Sequence, residues 1–259
     1  MSQAVHDMFA KIARRYDIAN DLLSFGIHRL WRRRLVHRLG LNPGMQVLDL
    51  CTGTGDLALL LSQTVGPSGS VAGLDFVSPM LRLARKKGSD TPVELQSARL
   101  FLQGDAMRIP FPDNTFDAVT IAFGIRNVDD PAGCLDEIRR VLRPGGTVGV
   151  LEFGQPTIPG FAALYRFYSK HLMPLIGGAV TGSRSAYIYL PETSRAFPSG
   201  SRFEKIIAER EFGQTKTRAL FGGIAFIYTG ISNKIPSNSA VPGRIQRNSV
   251  EGGSQALNL

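Results

Sequence analysis

Residues 46–56 read Gln46-Val-Leu-Asp-Leu-Cys-Thr-Gly-Thr-Gly-Asp56. The run Gln46–Leu50 is apolar except for Asp49 and too short for a helix, which is the pattern of a buried strand. Thr52-Gly53-Thr54-Gly55 follows as a turn of small residues, and Asp56 opens a helical run to Val65. Strand, glycine turn and helix in that order form the first half of a βαβ unit. The fold class then depends on whether the unit repeats.

It does repeat. Ser70–Asp75 reads as a second strand, after which Ser78-Pro79 starts a helix with a first-turn proline. Leu100–Gln103 is a third strand and Phe116–Phe123 a fourth. Pro131–Leu142 is a helix stopped by Arg143-Pro-Gly-Gly146, and Thr147–Phe153 is a fifth strand. A helical insertion is expected at about 159–178 and a helix at about 201–210. Two final strands, Lys216–Phe221 and Gly223–Tyr228, are joined by a turn too short for a crossover, so they pair antiparallel. The expectation is an α/β fold: a doubly wound, mostly parallel seven-stranded sheet with an antiparallel edge strand.

The rest of the sequence divides around this block, 41–230. The chain has 259 residues and a formal charge of +9. Residues 1–40 hold eight Lys or Arg against three Asp, so more than half of the excess lies in this segment. Arg29–Leu39 alternates apolar 30, 31, 35 and 39 with arginines, the pattern of an amphipathic helix with one basic face. Residues 231–259 are rich in Ser, Asn, Gly and Gln and are expected to be disordered. Only Cys51 and Cys134 occur, too few for a disulfide framework, and the N-terminus lacks the pattern of an export signal. Cytoplasmic residence is the expectation.

In doubly wound sheets, ligands bind outside the carboxyl ends of the strands. Asp49, the turn Thr52-Gly53-Thr54-Gly55, Asp75 and Asp105 all fall at such ends. A single Gly-x-Gly is often only a tight turn, and a strand-end Asp often only a helix cap. Together, with 20 residues from Gly55 to Asp75, they point to a nucleoside cofactor: Asp75 for the ribose hydroxyls, Asp105 for an adenine amino group. A dinucleotide pyrophosphate avoids neighbouring carboxylates, whereas this turn is bracketed by Asp49 and Asp56. Carboxylates suit the ammonium and sulfonium of S-adenosylmethionine, with NAD the second choice.

The motifs Val47–Asp56, Gly73-Leu-Asp-Phe76, Gly104-Asp-Ala106, Pro110–Asp117 and Val141–Gly146 resemble those of class I methyltransferases, whose sheet is Rossmann-like. More narrowly, Phe9-x-x-Ile-Ala-x-x-Tyr16-Asp17-x-x-Asn20, Gly26-x-His28-x-x-Trp31-Arg32, Phe123-Gly-Ile-Arg-Asn-Val128 and Tyr189-Leu-Pro191 resemble the C-methyltransferases of ubiquinone and menaquinone biosynthesis, over about residues 5–230. Thr52 stands where those proteins usually have a small residue, often Gly, and Ala122 where they often have Ser.

The resemblance implies methyl transfer to a ring carbon of a reduced, prenylated quinol, either demethylmenaquinol or a benzoquinol. It implies Arg126 as stabiliser of a developing oxyanion, Asn127 as an orienting group, and Tyr16 and His28 as proton relays. The cofactor set is Asp49, Thr52, Gly53, Thr54, Gly55, Asp75, Asp105, Ala106 and Ala122. No metal is expected, because His6, His28, His37 and His171 have no ligand spacing and no Cys-x-x-Cys occurs. The basic charge keeps a nucleic-acid methyltransferase as a rival, yet residues 122–127 lack both an Asn/Asp-Pro-Pro-aromatic motif and a Pro-Cys nucleophile. The basic N-terminal segment, with Phe161, Tyr165 and Tyr168, is expected to act as a lid resting on anionic lipid.

Overall fold

The computed structural model describes residues 2–90 and 97–235. Most of the expected tail, 236–259, lies outside the described residues, although Ile231 and Ser232 belong to a strand. The strands are β1 (Gln46–Leu50), β2 (Ser70–Asp75), β3 (Ala98–Gln103), β4 (Phe116–Ala122), β5 (Leu142–Phe153), β6 (Phe212–Leu220) and β7 (Ala225–Ser232). They form one sheet in the order β3-β2-β1-β4-β5-β7-β6. Pairings from β3 to β5 are parallel, while β7 runs antiparallel to both β5 and β6. The final hairpin thus closes one edge, with β7 inside and β6 outermost.

Helices α4 (Asp56–Val65) and α5 (Ser78–Ser89) cover one face with α3 (Ile27–Leu39). Leu35, Leu39, Leu57, Leu61 and Leu81 pack there against Val47 and Val71. Helices α6 (Pro131–Val141) and α10 (Ser201–Glu209) cover the other face through Leu135, Ile138, Phe203 and Ile207. Each fully buried side chain of this size contributes about 1.5–3 kcal/mol. The Arg143–Gly146 stretch, expected only to stop α6, is a bulge inside β5, where the register with β4 shifts.

Above the carboxyl edge of the sheet lies a smaller helical layer. Helices α1 (Gln3–Ile12) and α2 (Tyr16–Ser24) meet α7 (Pro159–Phe167), a π turn at Tyr168–Leu172, α8 (Met173–Thr181) and α9 (Arg184–Ala196). Ile12 and Ala19 pack with Met173, Ala186 and Tyr187 in a separate apolar cluster. The side chain of Arg15 donates to the Val180 carbonyl at 2.8 Å and the Tyr168 hydroxyl to the Leu23 carbonyl at 2.7 Å. The helical segment after β5 therefore runs to residue 196, past the expected 178. Gly182, at φ 75°, caps α8, and α9 follows with Pro191 inside it.

The connections leave β1 toward β2 on one side and reach β4 on the other, so the sheet changes winding direction between β1 and β4. That switch point is where such folds open a crevice. The residue following each of these two strands, Cys51 (φ 52°) and Phe123 (φ 57°), sits in left-handed backbone. Non-glycine residues adopt this conformation rarely, and it tends to persist at functional sites.

Candidate active site

The loop after β1 is held from below by Asp49. This carboxylate is buried and accepts from the hydroxyls of Thr52 and Thr120, both at 2.7 Å. Burial pushes its pKa up to about 6, against the opposing pull of the two hydroxyls. Asp75 holds the loop from the side: its two oxygens accept from the amides of Gly53 and Val77, each at 2.8 Å. Burial raises its pKa as well, while those amides favour the charged form. A strand-end Asp thus fixes the turn and still offers lone pairs to a ligand.

Three cavities meet along the carboxyl edge. The first encloses about 410 Å³ including its mouth, and its wall contains Gly53, Asp75, Ala122, Gly124, Asn127 and Tyr16. The second, about 280 Å³, is lined by Asp105, Ala106, Phe76 and Val128, and it shares Cys51 and Asp75 with the first. Asp105 keeps one oxygen on the Met107 amide at 2.9 Å. The third, about 1540 Å³, is lined mainly by apolar and aromatic side chains and shares Tyr16 and Phe123 with the first. Elongated small-molecule sites take this form, apolar with a few convergent polar groups.

Four of the residues expected around the cofactor line none of these cavities. Asp49 and Thr52 sit behind the loop and shape it. Gly55, at φ 83°, lets the loop approach α5; a Cβ there would lie 2.9 Å from that of Ala84. Thr54 faces the N-terminal layer, where its hydroxyl donates to Asp17 at 2.6 Å and accepts from Lys87 at 3.0 Å. Asp56, read as an acidic flank of the loop, is drawn into the same cluster. It pairs with Lys87 at 2.5 Å and Arg32 at 3.1 Å, and although burial pushes its pKa up, these two cations bring it below its usual value. Its charge is therefore spent on docking α3 and α5.

Arg126 and His28 face the third cavity, Asn127 the first, and Tyr16 both. Arg126 is nearly buried and pairs with the fully buried Glu152 at 2.7 Å, also donating to the Phe123 carbonyl at 2.6 Å. Asn127 accepts from the Tyr189 hydroxyl at 3.1 Å, a contact supplied by α9. His28 lies 2.6 Å from the Ser24 hydroxyl, and burial together with Arg32 lowers its pKa to about 4. It is neutral at neutral pH and can take a proton only transiently. Burial raises the Tyr16 pKa, keeping that hydroxyl protonated.

Some wall residues carry no sequence signal of their own, Val77 and Met80 among them, while Phe9 and Gly124 lie in motifs quoted above without a role assigned to them. Phe9 of α1 and Val77 and Met80 near the start of α5 close the first cavity. Gly124 lets the β4 exit touch the β1 exit, since a Cβ there would lie 2.4 Å from that of Cys51. Among the described residues no cluster of three or more His, Cys, Asp or Glu could hold a metal, and no helix is long and apolar enough to cross a membrane.

The profile of the ubiE/COQ5 methyltransferase family matches residues 1–232. The chain is 47% identical over 229 residues to the ubiquinone/menaquinone biosynthesis C-methyltransferase UbiE of Bdellovibrio bacteriovorus, covering 88% of this chain and 95% of that protein. It is 39% identical over 232 residues to a demethylmenaquinone methyltransferase of Staphylococcus aureus, covering 90% and 94%. Two solved structures share the fold. A SAM-dependent methyltransferase of Thermotoga maritima, described as a possible histamine N-methyltransferase, gives a TM-score of 0.61 at 19% identity, with 87% and 99% covered. Another from Aquifex aeolicus gives 0.55 at 22%, with 77% and 88% covered. The chain belongs to the ubiE/COQ5 methyltransferase family.

Proposed function

We propose that this enzyme methylates a ring carbon of a reduced prenylated quinol, converting demethylmenaquinol to menaquinol, with S-adenosylmethionine as donor. The observation that carries this reading is the wall shared by two cavities. Tyr16 and Phe123 border both the polar cavity at the strand ends and the large apolar one beside it. The first two cavities suit a nucleoside with an amino acid tail: Asp75 stands at their junction, Asp105 and Ala106 at one end, and Gly53 and Ala122 at the other. The third suits a flat ring with an isoprenoid chain.

When bound, S-adenosylmethionine supplies a sulfonium methyl: as the ring carbon forms the new C–C bond, the S–CH3 bond breaks with its electron pair kept by sulfur, and the ring proton leaves to solvent. An oxidised quinone is too electron-poor to attack, so the quinol or its anion is the nucleophile. Arg126 stabilises negative charge on a ring oxygen, held in place by Glu152. Asn127, fixed by Tyr189, orients the reacting partners. Tyr16 covers the junction, where it excludes water and can relay a proton; His28 is the weaker relay because its lowered pKa disfavours the charged form.

Methyl-labelled S-adenosylmethionine and purified enzyme, offered demethylmenaquinol, a benzoquinol precursor and RNA, test the reading. Label on the naphthoquinol is the expected result; label on RNA alone would overturn it. The benzoquinol remains the second candidate because the Bdellovibrio relative is named for both pathways.

A lipid surface would deliver such a substrate. Ile18 and Leu22 of α2, Phe25 at its C-terminal cap, and Leu164, Phe167 and Leu172 after β5 are exposed apolar side chains, and Phe25, Leu164 and Phe167 also line the apolar cavity. Exposed Arg14 and Arg15 precede the first group, and exposed Arg166 and Lys170 fall within the second. This face, rather than the partly buried Phe161, Tyr165 and Tyr168 or the buried Trp31, is the one we assign to anionic lipid. Co-sedimentation with vesicles should rise with the fraction of anionic lipid, and no dependence on it would remove the assignment.

A further inference from the structure

Two arginines line the large apolar cavity, and their surroundings differ. Arg126 gives Nη1 to Glu152 and to the Phe123 carbonyl, while its Nε is sealed off without a partner. Arg32 gives only Nη1, to Asp56 at 3.1 Å. Asp56 divides its carboxylate, with the other oxygen 2.5 Å from Lys87. Arginine carries five N–H donors in a planar fork, so most of the Arg32 fork has no acceptor among the described residues. Its Nε and Nη2 are not among the unpartnered donors that lack accessible surface, and 13% of the side chain is exposed.

The place of Arg32 decides what those donors can meet. Its guanidinium carbon lies 6.0 Å from the centroid of the Phe123 ring, which borders both this cavity and the first. Its charge also bears on Tyr16, which borders the same two cavities, and on His28. The titratable and charged groups lining the large cavity are Tyr16, His28, Arg32, Arg126, Tyr165 and Tyr168, and among the described residues no carboxylate lines it. Carboxylates stand behind these groups instead: Asp56 on Arg32, Glu152 on Arg126, and Asp21 at 3.6 Å from His28. At neutral pH His28 is neutral, with its pKa lowered to about 4, and burial keeps the three tyrosines protonated. The wall then carries two positive charges and no negative one.

We infer that Arg32 is a further substrate-binding residue: its open donors take an oxygen of the acceptor ring beside Phe123 and Tyr16 and favour the ionised form of that oxygen. The ring hydroxyl gives its proton to solvent, and the charge left on oxygen enriches the ring carbons for attack on the sulfonium methyl. This rests on the quinol reading above and adds a second binding cation to it. An opposite charge within about 4–6 Å lowers the pKa of an acid by about 1–3 units.

Two prenylated 1-naphthols, with the chain on carbon 2 or on carbon 3, probe one ring oxygen at a time, and their ionised forms absorb at longer wavelength. S-adenosylhomocysteine, which cannot donate a methyl, is kept present so that nothing turns over. Bound to wild type, at least one isomer should ionise about one pH unit or more below its value in detergent micelles. Asp56→Asn removes the partner of Arg32 but keeps its charge, so the bound pKa should stay at or below the wild-type value. Adding Arg32→Gln should raise it by about one unit, a tenfold change in ionisation constant, with affinity for S-adenosylhomocysteine unchanged. A second measurement needs no loss of charge: the Arg32 guanidinium N–H resonances of wild type, assigned by their absence in Arg32→Lys, should move and exchange more slowly with solvent when a naphthol binds. An equal bound pKa in wild type and both variants for both isomers, or unmoved Arg32 resonances, would overturn the inference and leave the acceptor site standing. Failure of wild type to bind either naphthol would instead overturn the quinol reading, and the inference with it.

Discussion

The hydroxyl of Thr54 donates to the carboxylate of Asp17 at 2.6 Å, tying the loop after β1 to helix α2. Lys87 bridges the same two groups, at 3.0 Å from Thr54 and 2.6 Å from Asp17. The N-terminal layer that carries Tyr16 over the cavities is thus clamped by the loop it covers. Thr54→Val removes one donor while keeping the shape, and it should lower stability by about 1 kcal/mol. Hydrogen exchange should quicken in α1 and α2 and stay unchanged in the sheet. Uniform quickening across the sheet would show that the clamp is not local.

Asp75 stands where two cavities join and already accepts from two loop amides. Asp75→Ala removes both the loop anchor and the acceptor for a ligand's hydroxyls. Charge-assisted hydrogen bonds of that kind contribute about 1.5–3 kcal/mol each, so affinity for S-adenosylmethionine should fall by at least about 100-fold in calorimetry. An unchanged dissociation constant would contradict the cofactor assignment.

Arg126 presents a different problem, because deleting it leaves Glu152 buried without its cation. Breaking such a pair costs about 3–5 kcal/mol. The single variant Arg126→Gln should therefore lose both stability and activity, whereas Arg126→Gln with Glu152→Gln should recover most of the stability. If Arg126 stabilises an oxyanion, the double variant will still turn over on the order of 100-fold more slowly, with its cofactor affinity intact. Recovery of turnover together with stability would make Arg126 purely structural.

These cases mark how far the sequence reaches. The bounds of β1, β2 and α4 agree with the expectation, because a short apolar run ended by a glycine turn has few alternatives. Cys51 and Phe123 carry no such signal: neither residue type announces left-handed backbone, yet both adopt it where the two strands exit. Asp56 looks like a cofactor-loop acid until Arg32 and Lys87 arrive from helices α3 and α5. Helix α9 lies beyond the expected insertion at about 159–178: Gly182 and Pro191 are residue types that locally disfavour helix, although Tyr189 of α9 reaches Asn127. What sequence conceals here is pairing across distant segments.

His28 and Asp49 oppose each other in pH. His28 falls from 6.5 to about 4 on folding, so between those values the unfolded chain binds more protons and stability rises with pH. Asp49 rises from 3.8 to about 6, so over nearly the same window the folded chain binds more protons and stability falls with pH. Urea unfolding of wild type, Asp49→Asn and His28→Gln between pH 4 and 6.5 separates them. Stability of the Asp49 variant should climb more steeply with pH than wild type, and that of the His28 variant should decline relative to it. Parallel curves for all three would refute both shifts.

Gly124 and Cys51 bring the exits of β4 and β1 into contact. An added methyl at Gly124 would sit 2.4 Å from the Cys51 Cβ and 2.9 Å from its sulfur, too close for any rotamer to relieve. Gly124→Ala should cost about 1–3 kcal/mol by overpacking, and it should weaken S-adenosylmethionine binding because both residues line the first cavity. Cys51→Gly removes both clashing atoms and suits the left-handed backbone at φ 52°. The double variant should therefore regain most of the lost stability and affinity, a coupling measurable by a double-mutant cycle of urea unfolding and calorimetry. Additive effects would mean that the two exits do not press on each other, and that the left-handed turn at Cys51 is imposed from elsewhere in the loop.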